Sequence, residues 1–281
     1  MANYLPIVLL QIYLLLMMKT NPQIVWITGA SSGIGEALVY AYSQQGAKLI
    51  ISSRNKERLY EVKTACKRNP LDIHVLPLDL DELDTLPKKV ADALNIFGKI
   101  DIVIHAGGLS QRSIAMETNL SVIERLMKVN YVSTVAINQA LLPSMLGQGT
   151  GTIVLISSLV GKFGTPFRSA YAASKHALHG YYDSLRAELT NKNIQITIVC
   201  PGFIRTNVSI NALVGDGSAQ NSMDAAQANG MSSERCAQKI IQGITKKREE
   251  MYVGGKEIYG VWLKRFFPTL FSRFVKTAKV R

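Results

Sequence analysis

Tyr171 and Lys175 stand four residues apart in the run SAYAASKHAL, whose composition suits a helix. That spacing puts both side chains on one helical face. A tyrosine near its ordinary pKa of about 10 is a poor acid–base catalyst at neutral pH. An ammonium beside it stabilises the phenolate and is expected to draw that pKa toward the working range. Ser158 lies thirteen residues before Tyr171, in ISSLVG, where a strand-end hydroxyl can hydrogen-bond a substrate oxygen. Asn130, in KVNY within a long helical pattern, could hold a water connecting Lys175 to solvent. Each residue alone has a plain reading: a helix tyrosine, a surface lysine, a strand-end serine, a helix asparagine. Together they suit proton transfer to or from a carbonyl or alcohol.

A second constellation lies near the start. Residues 28–35 read TGASSGIG, after a short apolar run and before a helical pattern. Gly29 can turn sharply at the strand end. Gly33 and Gly35 lack a Cβ, so a pyrophosphate and the sheet can both approach the backbone, and the helix start directs amide N–H groups at the phosphates. Ser31, Ser32 and Ile34 belong to the same turn. A tight strand-to-helix turn without a ligand is the plainer alternative; the flanking strand and helix favour the dinucleotide.

The end of the second strand should lie beside the adenosine ribose, where an acidic residue would accept the ribose hydroxyls and select NAD. This chain has Ser52-Ser53-Arg54. Ser53 can hydrogen-bond a 2′-phosphate, and Arg54 can pair with it and stack on adenine, so NADP(H) is the expected cofactor. Asp79, followed by Leu80, is placed to accept the adenine amino group, or else to cap the next helix.

These positions imply a scaffold. From residue 23 apolar runs and helical patterns alternate: strands at 24–28, 49–52, 73–76, 100–105, 153–157, 196–200 and 251–253, and helices at 36–45, 56–67, 83–97, 122–142, 170–189 and 233–247. The strands are continuous Ile/Val/Leu runs, as expected when both faces are buried. The pattern predicts a single-domain α/β fold, a doubly wound parallel sheet (Rossmann fold) of about seven strands with helices on both faces. The predicted domain spans residues 21–254, with 207–231, rich in small polar residues and glycine, as a mobile substrate lid.

Composition narrows the class. The chain has 281 residues, 47% hydrophobic and 19% charged, which excludes disorder. Cys66, Cys200 and Cys236 form no C-x-x-C pair, which argues against a disulfide framework and a metal ribbon and suits a reducing, cytoplasmic setting. No metal is expected. Of the net charge of +12, a net +7 falls from Lys246 onward, where ten Lys or Arg meet three Glu. Residues 255–281 mix these cations with Trp262, Phe266, Phe267, Phe271 and Phe274, which suits a membrane surface better than nucleic acid. A terminal helix packed on its own domain or on a second subunit is the alternative. Residues 4–18 are nearly all apolar but short of a bilayer span. Within the N-terminal segment 1–20 they read as a short anchor, a packed segment or the product of an upstream start codon.

These motifs resemble the short-chain dehydrogenase/reductase family over roughly residues 23–253. TGASSGIG matches its cofactor motif, and Asn130, Ser158, Tyr171 and Lys175 match its catalytic tetrad. Pro201-Gly202 matches its turn after the sixth strand, and Thr206, with Ile204 nearby, its cofactor-contacting threonine. The resemblance implies hydride transfer between a nicotinamide and a carbonyl or alcohol. Tyr171 would be the proton donor, Ser158 would steady the oxygen, Lys175 would bind the nicotinamide ribose, and Asn130 would complete a proton relay. One departure stands out: the family's Asn-Asn-Ala-Gly is His105-Ala106-Gly107-Gly108 here. His105 and Gly107 keep the cofactor-side assignment. His105 as a catalytic acid competes with a structural histidine, the Tyr171/Lys175 pair already meeting the proton requirement.

The segments after residue 201 and the basic aromatic tail are similar to the member 7B subfamily, which implies a membrane-associated reductase of lipid-like carbonyls, acyl- or alkyl-dihydroxyacetone phosphates and steroid ketones among them. The family resemblance also implies a homo-dimer or homo-tetramer built on the two long helices. The competing function class is a non-catalytic NADP(H) sensor or scaffold on the same fold. Nucleic-acid binding through the tail lacks any recognised motif.

Overall fold

The computed structural model describes residues 22–67 and 69–277. The apolar segment at residues 4–18 lies outside them. Seven strands, β1 (Ile24–Thr28), β2 (Lys48–Ser52), β3 (Ile73–Val75), β4 (Ile102–His105), β5 (Gly151–Ile156), β6 (Ile194–Pro201) and β7 (Glu250–Val253), form one sheet. Its order is β3-β2-β1-β4-β5-β6-β7, and every pairing is parallel. The order reverses between β1 and β4, so the crevice at the carboxyl ends of these two strands is the place where such sheets take ligands.

Successive strand residues point to opposite faces, and both faces are buried. Val25, Ile27, Leu49 and Ile51 pack against α1 (Gly33–Gln44), α2 (Lys56–Ala65) and α7 (Ser233–Thr245), through Leu38, Val62 and Ile240 among others. Trp26, Ile50, Val103 and Leu155 pack on the other face against α3 (Leu86–Phe97), α5 (Ser133–Gln148) and α6 (Ser169–Glu188). Each such large apolar side chain stabilises the fold by roughly 1.5–3 kcal/mol. The Trp26 indole, fully buried, donates to Ser52 Oγ at 2.9 Å.

Several helices differ from the sequence pattern. α1 begins at Gly33, three residues before the predicted start, because the glycine-rich turn itself winds into the first helical turn. The predicted helix at 122–142 is α4 (Leu120–Met127) joined to α5 by a π-helical turn, Lys128–Val132, that carries Asn130. Such wide turns are rare, occur as single turns inside α-helices and are frequent at functional sites. The tail folds as α8 (Tyr259–Phe266) and α9 (Pro268–Thr277). Val261 and Phe271 are buried against the domain, and the Phe163 and Phe271 rings meet at 5.0 Å. The packed-helix alternative therefore holds for one face of the tail. The other face leaves Trp262, Phe266, Phe267, Leu270 and Phe274 more than half exposed. Among the described residues no helix is long and apolar enough to cross a membrane.

Candidate active site

One cleft of about 1670 Å³ opens at the carboxyl end of the sheet. Its first half is the glycine-rich turn: Gly29, Ser31, Ser32, Gly33, Ile34 and Gly35 all line it. The turn is built for close approach. A Cβ on Gly29, whose φ is +68°, would lie 2.4 Å from Gly107 N, and one on Gly35 would lie 2.2 Å from Gly29 O. Gly33, at φ +57°, lies against Thr206. Ser32 takes the N-cap position of α1 without a side-chain hydrogen bond, so the first helical amides border the cleft. These features fit a dinucleotide pyrophosphate.

Ser53, Arg54, Asp79, Leu80, Gly107, Pro201, Gly202, Ile204 and Thr206 line the same cleft. Asp79 also closes its own turn, accepting from the Asp81 amide at 2.9 Å. Glu257, at the start of the tail, accepts from the Phe203 amide at 3.0 Å and fixes the loop after Pro201-Gly202.

His105 departs from its cofactor-side assignment. It is buried and lies outside the cleft wall, with Nε2 3.0 Å from Asn138 Oδ1. Asn138 in turn donates to the Tyr182 hydroxyl. Burial drives the His105 pKa from 6.5 to about 4, against the opposing pull of Asn138, which keeps the imidazole neutral. The ring is a structural group between β4 and α5, without access to a substrate.

At the other half of the cleft, α6 presents Tyr171 and Lys175 on one face, and Ser158, Tyr171 and Lys175 all line the wall. The Ser158 hydroxyl accepts from the Val160 amide at 3.3 Å and stands close enough to the Tyr171 phenol to pull its pKa down. Lys175 Nζ lies 5.8 Å from the Tyr171 ring centre and donates to Ile156 O at 2.9 Å. Burial lowers the Lys175 pKa from 10.5 to about 8, so the ammonium still holds its proton at neutral pH.

The Tyr171 pKa differs from the sequence-based expectation. Burial raises it above 10; Ser158, Arg112 and Arg168 pull the other way, and Lys175, engaged with Ile156, is not among the leading influences. The phenol is therefore held protonated, the state a proton donor needs.

The Asn130 side chain accepts from the Leu109 amide at 2.8 Å and donates to Leu109 O and Ser174 Oγ, each at 2.9 Å. That amide group joins the β4 exit to α6.

Sequence reasoning missed several neighbours. Gln111 Oε1 accepts from the amides of Ala170 and Tyr171, at 2.8 and 3.2 Å, and so caps α6 from a distant loop. Arg112 and Arg168 line the cleft and share Asp224. The tail supplies an apolar wall: Trp262, Leu263, Phe266, Phe267, Phe271 and Phe274. The expected lid, residues 207–231, lies against the cleft through Asn207, Val208, Asn211 and Leu213, and bridges Gln111 through Leu213. Beneath the site His179, Cys200 and Glu250 bring ligand-type atoms within 4.8 Å of one another. The carboxylate there is already paired with the Lys162 ammonium at 2.8 Å, so the cluster has the character of an ion pair.

A family profile described as short chain dehydrogenase matches residues 23–214. A mosquito (Anopheles gambiae) protein named dehydrogenase/reductase SDR family protein 7-like is 40% identical, covering 97% of this chain and 91% of its own length. A zebrafish (Danio rerio) protein named dehydrogenase/reductase SDR family member 7B is 37% identical, covering 95% of this chain and 89% of its own. Among solved structures, a short chain dehydrogenase/reductase from Burkholderia phymatum in complex with NAD superposes with a TM-score of 0.79 at 20% identity, covering 90% of this chain and 96% of its own.

Proposed function

Since the chain belongs to the short-chain dehydrogenase/reductase family of oxidoreductases, we propose that it is an NADPH-dependent reductase of a lipid-like carbonyl. The observation that carries this reading is the placement of Tyr171, Ser158 and Lys175 on one wall of a cleft whose other end is the glycine-rich turn. A bound nicotinamide would supply the hydride. Ser158 steadies the substrate oxygen from the same wall as Tyr171. Tyr171, held protonated by its buried setting, gives its proton to that oxygen as the carbonyl is reduced. Lys175 supplies a buried positive charge beside it, and Asn130 positions both α6 and the Leu109 loop.

Arg54 and Ser53, with no carboxylate between them, support NADP(H) over NAD(H). The aromatic wall supports an apolar substrate chain, acyl- or alkyl-dihydroxyacetone phosphates and steroid ketones being the classes to try. The exposed face of α8 and α9, with Lys264, Arg265, Arg273 and Lys276 beside its aromatic residues, supports contact with an anionic membrane surface.

The test is NADPH oxidation by the full chain against those carbonyls, with small diketones and sugars as contrasts and Tyr171→Phe alongside. Turnover of one lipid-like class that is lost in the variant, while NADPH binding persists, is expected. Turnover that survives Tyr171→Phe overturns the assigned proton donor, and preference for a small polar carbonyl overturns the substrate class.

A further inference from the structure

α6, the helix that presents Tyr171 and Lys175, does not cap its own start. A helix leaves its first amide N–H groups without intrahelical partners, and an N-cap side-chain oxygen commonly accepts from the second or third helical residue. Here the N-cap is Arg168, whose guanidinium carries donors only, and its side chain makes no cap bond. The second and third residues of the helix are Ala170 and Tyr171. Their amides donate instead to Gln111 Oε1, at 2.8 and 3.2 Å. One side-chain oxygen from a distant loop thus does the work of the cap, and does it on the backbone of Tyr171 itself.

Gln111 is held in turn. It is fully buried and lies outside the cleft wall. Its Nε2 donates to Thr118 Oγ1 at 3.0 Å, with Ser113 Oγ, Ser113 O and Ser169 Oγ at 3.2, 3.3 and 3.4 Å. The residues on either side of it pair with the segment read as a lid. The Arg112 amide donates to Leu213 O at 2.8 Å, and the Leu213 amide donates to Ser110 O at 2.9 Å. The Leu213 side chain is buried in a cluster with Val122, Leu126 and Ala170. The Ser113 amide donates to Phe167 O at 3.2 Å, and Phe167 takes φ +66°, a left-handed conformation that costs energy for a residue with a side chain. The entrance to α6 is therefore held from outside, by residues 110–113.

We infer that Gln111 is a positioning residue for Tyr171, and that it ties the placement of the phenol to the seating of Leu213. The lid pairs with residues 110–112, that pairing fixes Gln111, and Gln111 fixes the first turn of α6. Gln111 acts through the Tyr171 backbone. This rests on the reading of Tyr171 as the group that gives its proton to a carbonyl.

The test has two arms on the full chain. The first measures kcat and KM on the carbonyl that the wild type turns over fastest. Gln111→Met keeps the volume and gives up the amide oxygen. Gln111→Glu keeps an acceptor oxygen, and its charge meets a helix N-terminus, where negative charge is favoured. Gln111→Met should lower kcat about 10- to 100-fold and leave KM for the carbonyl and for NADPH within about threefold, because a small misplacement of a reacting group is enough for such a loss. Gln111→Glu should keep at least about a third of the wild-type kcat. An unchanged kcat in Gln111→Met, an equal fall in both variants, or a loss that falls on KM for NADPH overturns the role. Leu213→Ala reads the link to the lid. It should lower kcat as well, and Leu213→Ala with Gln111→Met should fall within about twofold of the worse single variant, since residues that act as one unit are not additive. Losses that multiply overturn the link.

The second arm needs no turnover: amide hydrogen exchange. In Gln111→Met the amides of Ala170 and Tyr171 should exchange at least about tenfold faster than in the wild type, while those of residues 178–186, further along the same helix, change less than about twofold. Unchanged exchange at the two amides removes the cap, and equally faster exchange along the whole helix reduces Gln111 to general stability; either overturns the inference. If the wild type reduces no carbonyl, the proton-donor reading fails, and this arm still decides by itself whether Gln111 holds the start of α6.

Discussion

Asn130 and Leu109 hold each other by two hydrogen bonds: the side-chain oxygen accepts the Leu109 amide at 2.8 Å and the side-chain nitrogen donates to the Leu109 carbonyl at 2.9 Å. A third bond reaches Ser174, next to Lys175. One amide group therefore ties the β4 exit, the π-helical turn and α6 together. Gly108 allows the approach, because a Cβ there would stand 2.9 Å from Asn130 Oδ1. Asn130→Ala leaves both Leu109 groups without these partners. Expected is a loss of about 2–4 kcal/mol in urea unfolding, with turnover falling at least about tenfold. An unchanged unfolding midpoint would remove the clamp from the account.

The buried imidazole of His105 makes stability depend on pH in a defined window. Its folded pKa, about 4, lies below the ordinary 6.5. Between those values the unfolded chain takes up a proton that the native state refuses. Stability from this group is thus fully present above 6.5 and falls as the pH drops toward 4, by up to about 3 kcal/mol. His105→Asn should flatten that part of the profile. Urea unfolding of both proteins at pH 7, 6 and 5 checks it; parallel profiles contradict the assignment.

Cofactor choice should turn on Arg54. Replacing it by serine removes the cation expected to meet a 2′-phosphate, so kcat/KM for NADPH is expected to fall about 10- to 100-fold while that for NADH stays within about threefold. A uniform loss with both cofactors would place Arg54 outside the selection.

The glycine turn offers a contrast within one residue type. A Cβ at Gly35 would press on Gly29 O, whereas at Gly147, on α5, nothing lies within 4 Å. Gly35→Ala should cost about 1–3 kcal/mol and weaken NADPH binding in a fluorescence titration. Gly147→Ala should leave binding unchanged and raise the melting point slightly, since alanine is the better helix former. Equal behaviour of the two variants would contradict the tight packing of the turn.

The sheet was legible because buried parallel strands are written as unbroken apolar runs, and Tyr171 with Lys175 because four residues make one helical step. The position of His105 was legible too. Strand alternation puts it on the same face as Val103, toward Asn138 and Tyr182, in keeping with the structural-histidine reading. Other features had no local signature. Arg112 meets Asp224 across 112 residues and Gln111 caps α6 across 59, so nothing near either residue announces the contact. The π-helical turn carries Asn130, whose partner Leu109 again comes from a distant segment. The tail carried an amphipathic composition, but which of its rings would close the cleft depended on Phe163 arriving from the loop after β5.

Phe266, Phe267 and Phe274 line the cleft and are also more than half exposed, while Phe271 between them is buried. Among the described residues, the apolar wall thus ends in a lip of exposed rings. Among the described residues, a hydrocarbon chain lying along it meets no obstruction that could gauge its length, and its far end would overhang the edge. Discrimination among homologues differing by a few methylenes should accordingly be slight, with selectivity residing in whatever sits beside Tyr171.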